Sequence, residues 1–456
     1  MQLPQPYLHM SERMIARVDQ PQMWPPEGLV TDSVYGYHTI WAAEVPFIPA
    51  YTGKAESDFA SESANRLTQI MERQIRFLYD LAQSQKHQTT FELRLVSWPQ
   101  SGGHARVGIA FLGKTFDRDP EISRELALGL WEKFSAIFPH EAPFSYPLVP
   151  VQHFENEQSR ETRSFKQWFE PLPFEQLIAP CTMVELRKYE DWPTIRDVGG
   201  ALHARDYIPH PFVPALDYSA MARLFETMAH QSRVCMVTIT IRPQRLTDQE
   251  ITILHDMANW YQRMASGEIT IDNRLLEVMR TKLKSDIADS YLRPRAELGQ
   301  KVYELLRREH RSLFLTRLQV AGTPFAPDDV IEALGSEIMA NAGNAYPSRW
   351  TREEPEQDAL RWTRFNLQWL EFEHCGISPR VRWDRRIIRL RSLATVQEAV
   401  GAFRLPVAPG SSGIAGVEVR DEPFLLPGIP VLQEQPGVSP GTILDRGVPT
   451  GIPFIL

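Results

Sequence analysis

Gly108-Ile-Ala-Phe-Leu-Gly113-Lys114-Thr115 has the spacing of a phosphate-binding loop. Small residues there let backbone amides curl around phosphates, the lysine meets their charge, and a helix opens at the Lys-Thr step. Here the four middle positions are Ile109, Ala110, Phe111 and Leu112, which continue the alternation begun at Val107. Phe116-Asp-Arg-Asp-Pro120 then delays the helix. The segment therefore reads as a strand, with Gly108, Gly113, Lys114 and Thr115 a decoy and no nucleotide site. On that reading, Lys114→Ala leaves the chain folded.

Other chemistry-bearing residues form looser groups. His203, Asp206 and His210 suit a metal by type, but the His-x2-Asp-x3-His spacing fits no standard site, and a polar loop is the expectation. His374-Cys375 are neighbours in the chain, which rarely lets a base face a nucleophile, and no local signature accompanies them. Glu185-Leu-Arg-Lys188 carries an acid and a lysine three apart, as some nuclease strands do, and reads as an ordinary strand with a charged face. No catalytic residue, metal or cofactor is assigned, and no enzyme is expected. The basic run Arg380, Arg382, Trp383, Arg385, Arg386, Arg389 and Arg391 is the candidate surface. Its guanidinium groups suit phosphates or a protein partner, and Trp383 suits stacking on a base. A solvated or acid-paired strand face is the plainer alternative.

These residues need elements to hold them. Residues 1–60 show no sustained period and read as an N-terminal arm or edge segment. A first α+β unit, 61–180, opens on a helix over 61–85 with Leu67, Ile70, Met71, Phe77, Leu78 and Leu81 at 3,4 spacing. Phe91–Leu95 alternates as a half-buried strand, 105–112 completes a hairpin, and Asp119-Pro120-Glu121 starts a helix. The second unit, 181–266, gives strands at 183–189 and 234–241, and helices at 218–229 and from the capping box Thr247-Asp-Gln-Glu250. The third, 267–345, is mostly helical to 310 with a break near Pro294, then has a strand at 313–321 and a helix at 327–339. A loop-like stretch over 342–365 leads into the last part of this region, 346–405, which holds the basic strand 380–391 and a short return helix, 396–403. Nine Pro and eight Gly in 406–456 argue for short extended, hairpin-like segments that pack on something else. Strand-helix-strand units with hairpins predict an α+β fold of largely antiparallel sheets with packed helices.

Composition narrows the class. With 43% hydrophobic and 23% charged residues, the chain is neither disordered nor fibrous. The formal net charge of −8 excludes a globally basic nucleic-acid coat. Forty of the 49 basic residues are arginine, the type suited to bidentate and interface contacts. Three scattered cysteines give no disulfide framework, and no apolar run is long enough to span a membrane. A cytoplasmic protein without membrane insertion is expected.

Three stretches resemble the N-terminal, pre-motor region of the HerA–FtsK superfamily ATPases, especially those related to conjugative-transfer and type IV secretion ATPases. They are Phe91–Leu95 with Val107–Lys114 and a helix ending at Phe138-Pro139; Ile208–Phe212 with Val237–Leu246; and Ser392–Pro406. Gly441–Phe454 is similar to the family's lead-in hairpin, which runs into the nucleotide-binding strand. The family's phosphate loop, acidic Mg²⁺ partner and arginine finger have no counterpart here. The resemblance therefore implies a bacterial, non-catalytic assembly or partner-docking module of a DNA-translocating ring motor. Its expected partners are a cognate ATPase domain or subunit, further copies of itself in a ring, and possible DNA. A free-standing protein scaffold or adaptor is the alternative, and an unrecognised metal-dependent enzyme built on His203, Asp206 and His210 the third.

Overall fold

Successive side chains of a strand point to opposite faces, so a sheet inside the molecule must be covered on both. The computed structural model describes residues 5–16, 33–51, 59–83, 89–100, 103–138, 146–151, 165–172, 174–191, 207–214, 221–266, 285–340, 350–355, 357–372, 390–409, 413–420, 441–445 and 448–454. The chain begins with β1 (His9–Ala16), β2 (Ser33–Glu44), β3 (Ile48–Tyr51), α1 (Phe59–Gln83), β4 (Thr90–Trp98), β5 (Arg106–Asp117) and α2 (Pro120–Ile137). It continues with β6 (Val149–Pro150), α3 (Phe165–Phe169), β7 (Met183–Lys188), β8 (Glu190–Asp191), β9 (Ile208–Pro209), α4 (Ala222–Ala229), β10 (Cys235–Gln244) and α5 (Asp248–Ala265). Then come α6 (Ser285–Arg308), β11 (Leu313–Gly322), α7 (Asp328–Ile338), β12 (Trp350–Glu353), α8 (Gln357–Trp369), β13 (Leu393–Ala394), α9 (Val396–Val400), β14 (Ala408–Pro409), β15 (Val419–Arg420), β16 (Gly441–Asp445) and β17 (Val448–Phe454).

Ten strands form one antiparallel sheet in the order β1-β2-β5-β4-β10-β11-β7-β12, with β6 beside β2 and β13 beside β11. The α+β class expected from the sequence is the class observed. Neighbours β10 and β11 are joined through α5 and α6, which pack on each other around Leu254, Tyr261, Tyr303 and Leu306. The odd-numbered side chains of the central strands, such as Phe91, Leu93, Ile109, Phe111, Val237 and Ile239, make a wholly apolar face under α1, α2, α4, α7 and α9. Phe134 of α2 is its hub, with rings of Trp41, Phe77, Phe91 and Phe111 all centred between 5.1 and 5.7 Å away. Truncating such a residue to alanine costs about 3–5 kcal/mol.

Several expectations change. Residues 33–51 are not an arm: β2 lies inside the sheet, between β1 and β5. It escapes pattern reading because Trp41, Ala42 and Ala43 are all fully buried, so nothing alternates in hydropathy. The stretch taken as loop-like contains β12 and α8. Phe91–Leu95 is buried on both faces, since α8 covers the side that alternation assigns to solvent. α6 runs through Pro294 without a break. Proline removes one helical rung, and the apolar seam with α5 outweighs that loss. The tail does pack: β14 and β15 pair in parallel with β3, and Val407, Ala408 and Ile414 are buried. Residues 441–454 form the expected hairpin. Among the described residues no helix is long and apolar enough to cross a membrane.

Both glycines of the decoy motif now have a packing reason. A Cβ on Gly113 would sit 2.2 Å from the Trp41 ring, and one on Gly108 2.3 Å from Trp98. Each glycine lets an indole approach the strand backbone closely. Gly113→Ala should therefore destabilise the protein by about 1–3 kcal/mol through overpacking, read as a lowered denaturation midpoint. Gly103→Ala, with nothing within 4 Å of the added carbon, should leave the midpoint unchanged.

Candidate functional site

The even-numbered residues of β4, β5 and β10, with the odd-numbered residues of β11 and β7 that register with them, carry charge into the second face. Lys114 of β5 lies opposite Thr90 of β4, and Arg242 of β10 reaches the Thr90 hydroxyl at 2.9 Å. In the next row Glu92 pairs across with Thr240, and Thr240 with Arg317 of β11. In the third, Arg94 lies opposite Thr238, Thr238 opposite Gln319, and Gln319 opposite Glu185 of β7. Glu92, Arg94, Lys114, Arg242 and Arg317 are each at most 6% exposed.

Two carboxylates hold these cations. Glu92 Oε1 accepts from Arg94 Nε at 2.7 Å, and its Oε2 accepts from Thr240 at 2.8 Å, with Arg317 at 3.9 Å. Glu371 arrives from the end of α8. It pairs with Lys114 through Oε1 and with Arg242 through Oε2 at 2.5 Å, and His38 Nδ1 lies 3.5 Å away. The remaining donors cap helix ends. Arg94 donates to the carbonyls of Trp168, Phe169 and Leu367, and Arg317 to those of Asn366 and Glu371. Carbonyls at a helix C-terminus carry partial negative charge, so α8 ends on cations.

A backbone detail aims Glu371. Leu370, fully buried, has φ +53°, and the Glu371 N–H bonds back to Asn366 O at 3.1 Å. This is the six-to-one closure of a Schellman turn, in which glycine is the usual left-handed residue. The leucine side chain is retained there by its packing in the core around Trp168 and Leu367.

A further buried carboxylate ties distant segments. Glu398 of α9 completes a capping box with Thr395, accepts from the Phe212 N–H at 3.0 Å and pairs with Lys188 at 2.5 Å. Gln74 of α1 exchanges two bonds with the Leu405 backbone, and Tyr146 donates to Pro406 O. Residues 208–212, 392–406 and β7 are thereby clamped together.

The sites expected from sequence fare as follows. Gly108–Thr115 is strand, as read, and Lys114 is committed to Glu371. Lys114→Ala, expected from the sequence to leave the chain folded, would leave a buried carboxylate short of a cation. Glu185–Lys188 is not an ordinary charged face: Glu185 and Lys188 are both buried and bonded. Of the basic run, Arg380, Arg382, Trp383, Arg385, Arg386 and Arg389 lie outside the described residues, as do His203, Asp206, His374 and Cys375. Arg391 is described and is no free surface cation, since it pairs with Glu353 at 2.6 Å and Glu190 at 3.7 Å while 5% exposed. His210 is buried, with Nε2 4.0 Å from Asp191. Among the described residues no cluster of three or more His, Cys, Asp or Glu could hold a metal.

The His210 ring is the main influence holding the Asp191 carboxyl below its usual range; burial opposes it, and Arg295 at 3.3 Å adds to it. A depressed folded pKa gives stability that is fully present above the unfolded value near 3.8 and is lost as pH falls through the folded one. The stability gap between the natural protein and Asp191→Asn should thus be flat above about pH 5 and shrink below pH 4. For the central network, Lys114→Met and Glu371→Gln should each cost about 3–5 kcal/mol. The double variant should fall short of their sum by about 1–3 kcal/mol. Denaturant midpoints of the four proteins check this.

Compared with protein-family models, and separately with curated proteins, the chain matches none.

Proposed function

We propose that the chain is the non-catalytic, pre-motor type of module of a HerA–FtsK-like DNA-translocating ATPase, the part that seats a ring motor and selects its partners. The observation that carries this reading is the clamp around Glu398. It joins the second and third segments of the resemblance, 208–212 and 392–406, to one sheet that also contains the first, β4 and β5. Consistent with the same reading, 441–454 form a hairpin where the family places its lead-in. The lysine that would serve a nucleotide is engaged inside the sheet, so ATP hydrolysis is assigned to a motor domain or partner chain. A ring of copies, assembled with that motor, is the expected working form.

The test is binding and mass together. The purified chain should show no ATPase activity and no saturable ATP binding. With its motor it should form a ring by light scattering, and DNA affinity should fall with salt. Replacing Arg382, Arg385 and Arg389 together by alanine should flatten the log–log salt slope by about two to three units. A triple variant that instead breaks the assembly and leaves DNA affinity unchanged would favour a protein scaffold. Saturable ATP binding by the chain alone would overturn the non-catalytic reading.

A further inference from the structure

Two exposed histidines from distant parts of the chain meet at one spot. His104 ends the turn between β4 and β5, and His230 caps the C-terminus of α4. Their ring centroids are 4.7 Å apart with the planes at 75°, and both residues are exposed. The backbone sets this spacing, since the Ala105 N–H donates to Ala229 O at 2.7 Å. Each histidine is thus the chain neighbour of one partner in a short main-chain bond.

An edge-to-face ring pair is the ordinary meaning of such a contact. Three features go beyond it. His230 Nδ1 lies 2.7 Å from Glu226 O. A carbonyl only accepts, so Nδ1 carries the proton, and the neutral ring presents Nε2 as a lone pair. A metal-ligating histidine almost always has its other nitrogen anchored in this way. The spacing also suits: two imidazoles bound to one ion at about 2.0–2.1 Å, at a coordination angle of roughly 90–110°, have centroids about 4.5–5.2 Å apart. The ion would stand at the C-terminus of α4, where helix carbonyls favour a cation. There is room beside His104, since a carbon added at Gly103 would meet nothing within 4 Å.

We propose that His104 and His230 chelate one divalent transition-metal ion, with water completing its coordination. Imidazole suits Cu(II), Ni(II) and Zn(II), with Cu(II) bound tightest, and does not suit Mg²⁺ or Ca²⁺. A structural zinc centre is closed by four protein ligands; with two, the ion exchanges. Once bound, it clips the β4–β5 turn to α4. The same two segments seat the tail: the Val107 N–H donates to Gly416 O at 2.7 Å, and a Cβ on Gly416 would lie 2.8 Å from Ala105 O and 2.9 Å from the Ala229 side chain. The ion therefore tightens the seat of residues 413–420. This site is independent of any motor partnership.

Zinc-soaked crystals of the full, tag-free chain test the geometry by anomalous scattering. In solution, calorimetric titration with Cu(II) measures affinity, and the thermal midpoint is followed in Zn(II). Above the dissociation constant, each tenfold rise in Zn(II) should lower the unfolding equilibrium constant about tenfold, and Mg²⁺ should have no such effect. Because the ligating nitrogens must be unprotonated, binding should weaken on acidification. His104→Ala and His230→Ala, both at exposed positions, should each remove one bound Cu(II) or weaken it about tenfold or more. The double variant should do no worse than either. An anomalous peak between the two rings together with those losses supports the proposal. No peak there, or unchanged Cu(II) binding in either variant, overturns it. The crystal of the natural protein decides the matter even if a variant does not fold.

Discussion

Everything on one side of the sheet depends on keeping two carboxylates, Glu92 and Glu371, in the company of cations where water does not reach. A buried ion pair gains little net stability over a well-packed apolar equivalent, but removing one partner is severe. The second face is therefore built for specification more than for strength. Every strand from β5 to β11 contributes a group of fixed sign or polarity at an inward position, and a one-residue slip of any strand would turn it into the apolar face. The Schellman turn at Leu370 is subordinate to this demand. It accepts a left-handed leucine so that Glu371 enters between Lys114 and Arg242.

Most of the fold was legible. Helices α1, α2, α5 and α7 follow from 3,4 spacing and capping residues, and β4, β5, β10 and β11 from alternation. What was not legible follows a physical pattern. Alternation predicts a half-buried strand because it records side-chain polarity, and it is silent about a helix arriving later to cover the polar side. α8 was hidden because Arg361, Arg364, Trp362 and Trp369 give it no clean apolar stripe, and its partner face is itself charged. β2 was hidden for a different reason, since Ile40, Trp41, Ala42 and Ala43 are buried on both faces and leave no alternation to read.

The candidate site was legible only in part. The motif at 108–115 was rightly read as strand from its bulky middle residues. The role of Lys114 was not, because Glu371 lies more than 250 residues away in sequence. One signal was available: Glu92 and Arg94 on β4 and Thr240 and Arg242 on β10 sit at alternate positions, as does Arg317 on β11, with charges of both signs. Complementary charges recurring at alternate positions on several strands argue for a buried network rather than several solvated edges. Gly108 and Gly113 illustrate a related trap. Glycine permits close approach, but the approaching group here is an indole rather than a phosphate.

The segment from Thr395 to Arg420 also has a mechanical meaning. A tensile load applied beyond Arg420 would first strain the backbone bonds of Glu418 O with Ile48 and Gly416 O with Val107. It would next have to extract Ile414 and Val407 from the core. Only then would it reach the paired bonds of Gln74 with Leu405 and, behind them, the Glu398 carboxylate. Those fastenings lie in series, the exposed ones outermost and the buried ionic one last. Such an arrangement gives graded resistance: small pulls are absorbed at the periphery, and only a sustained one reaches the sheet.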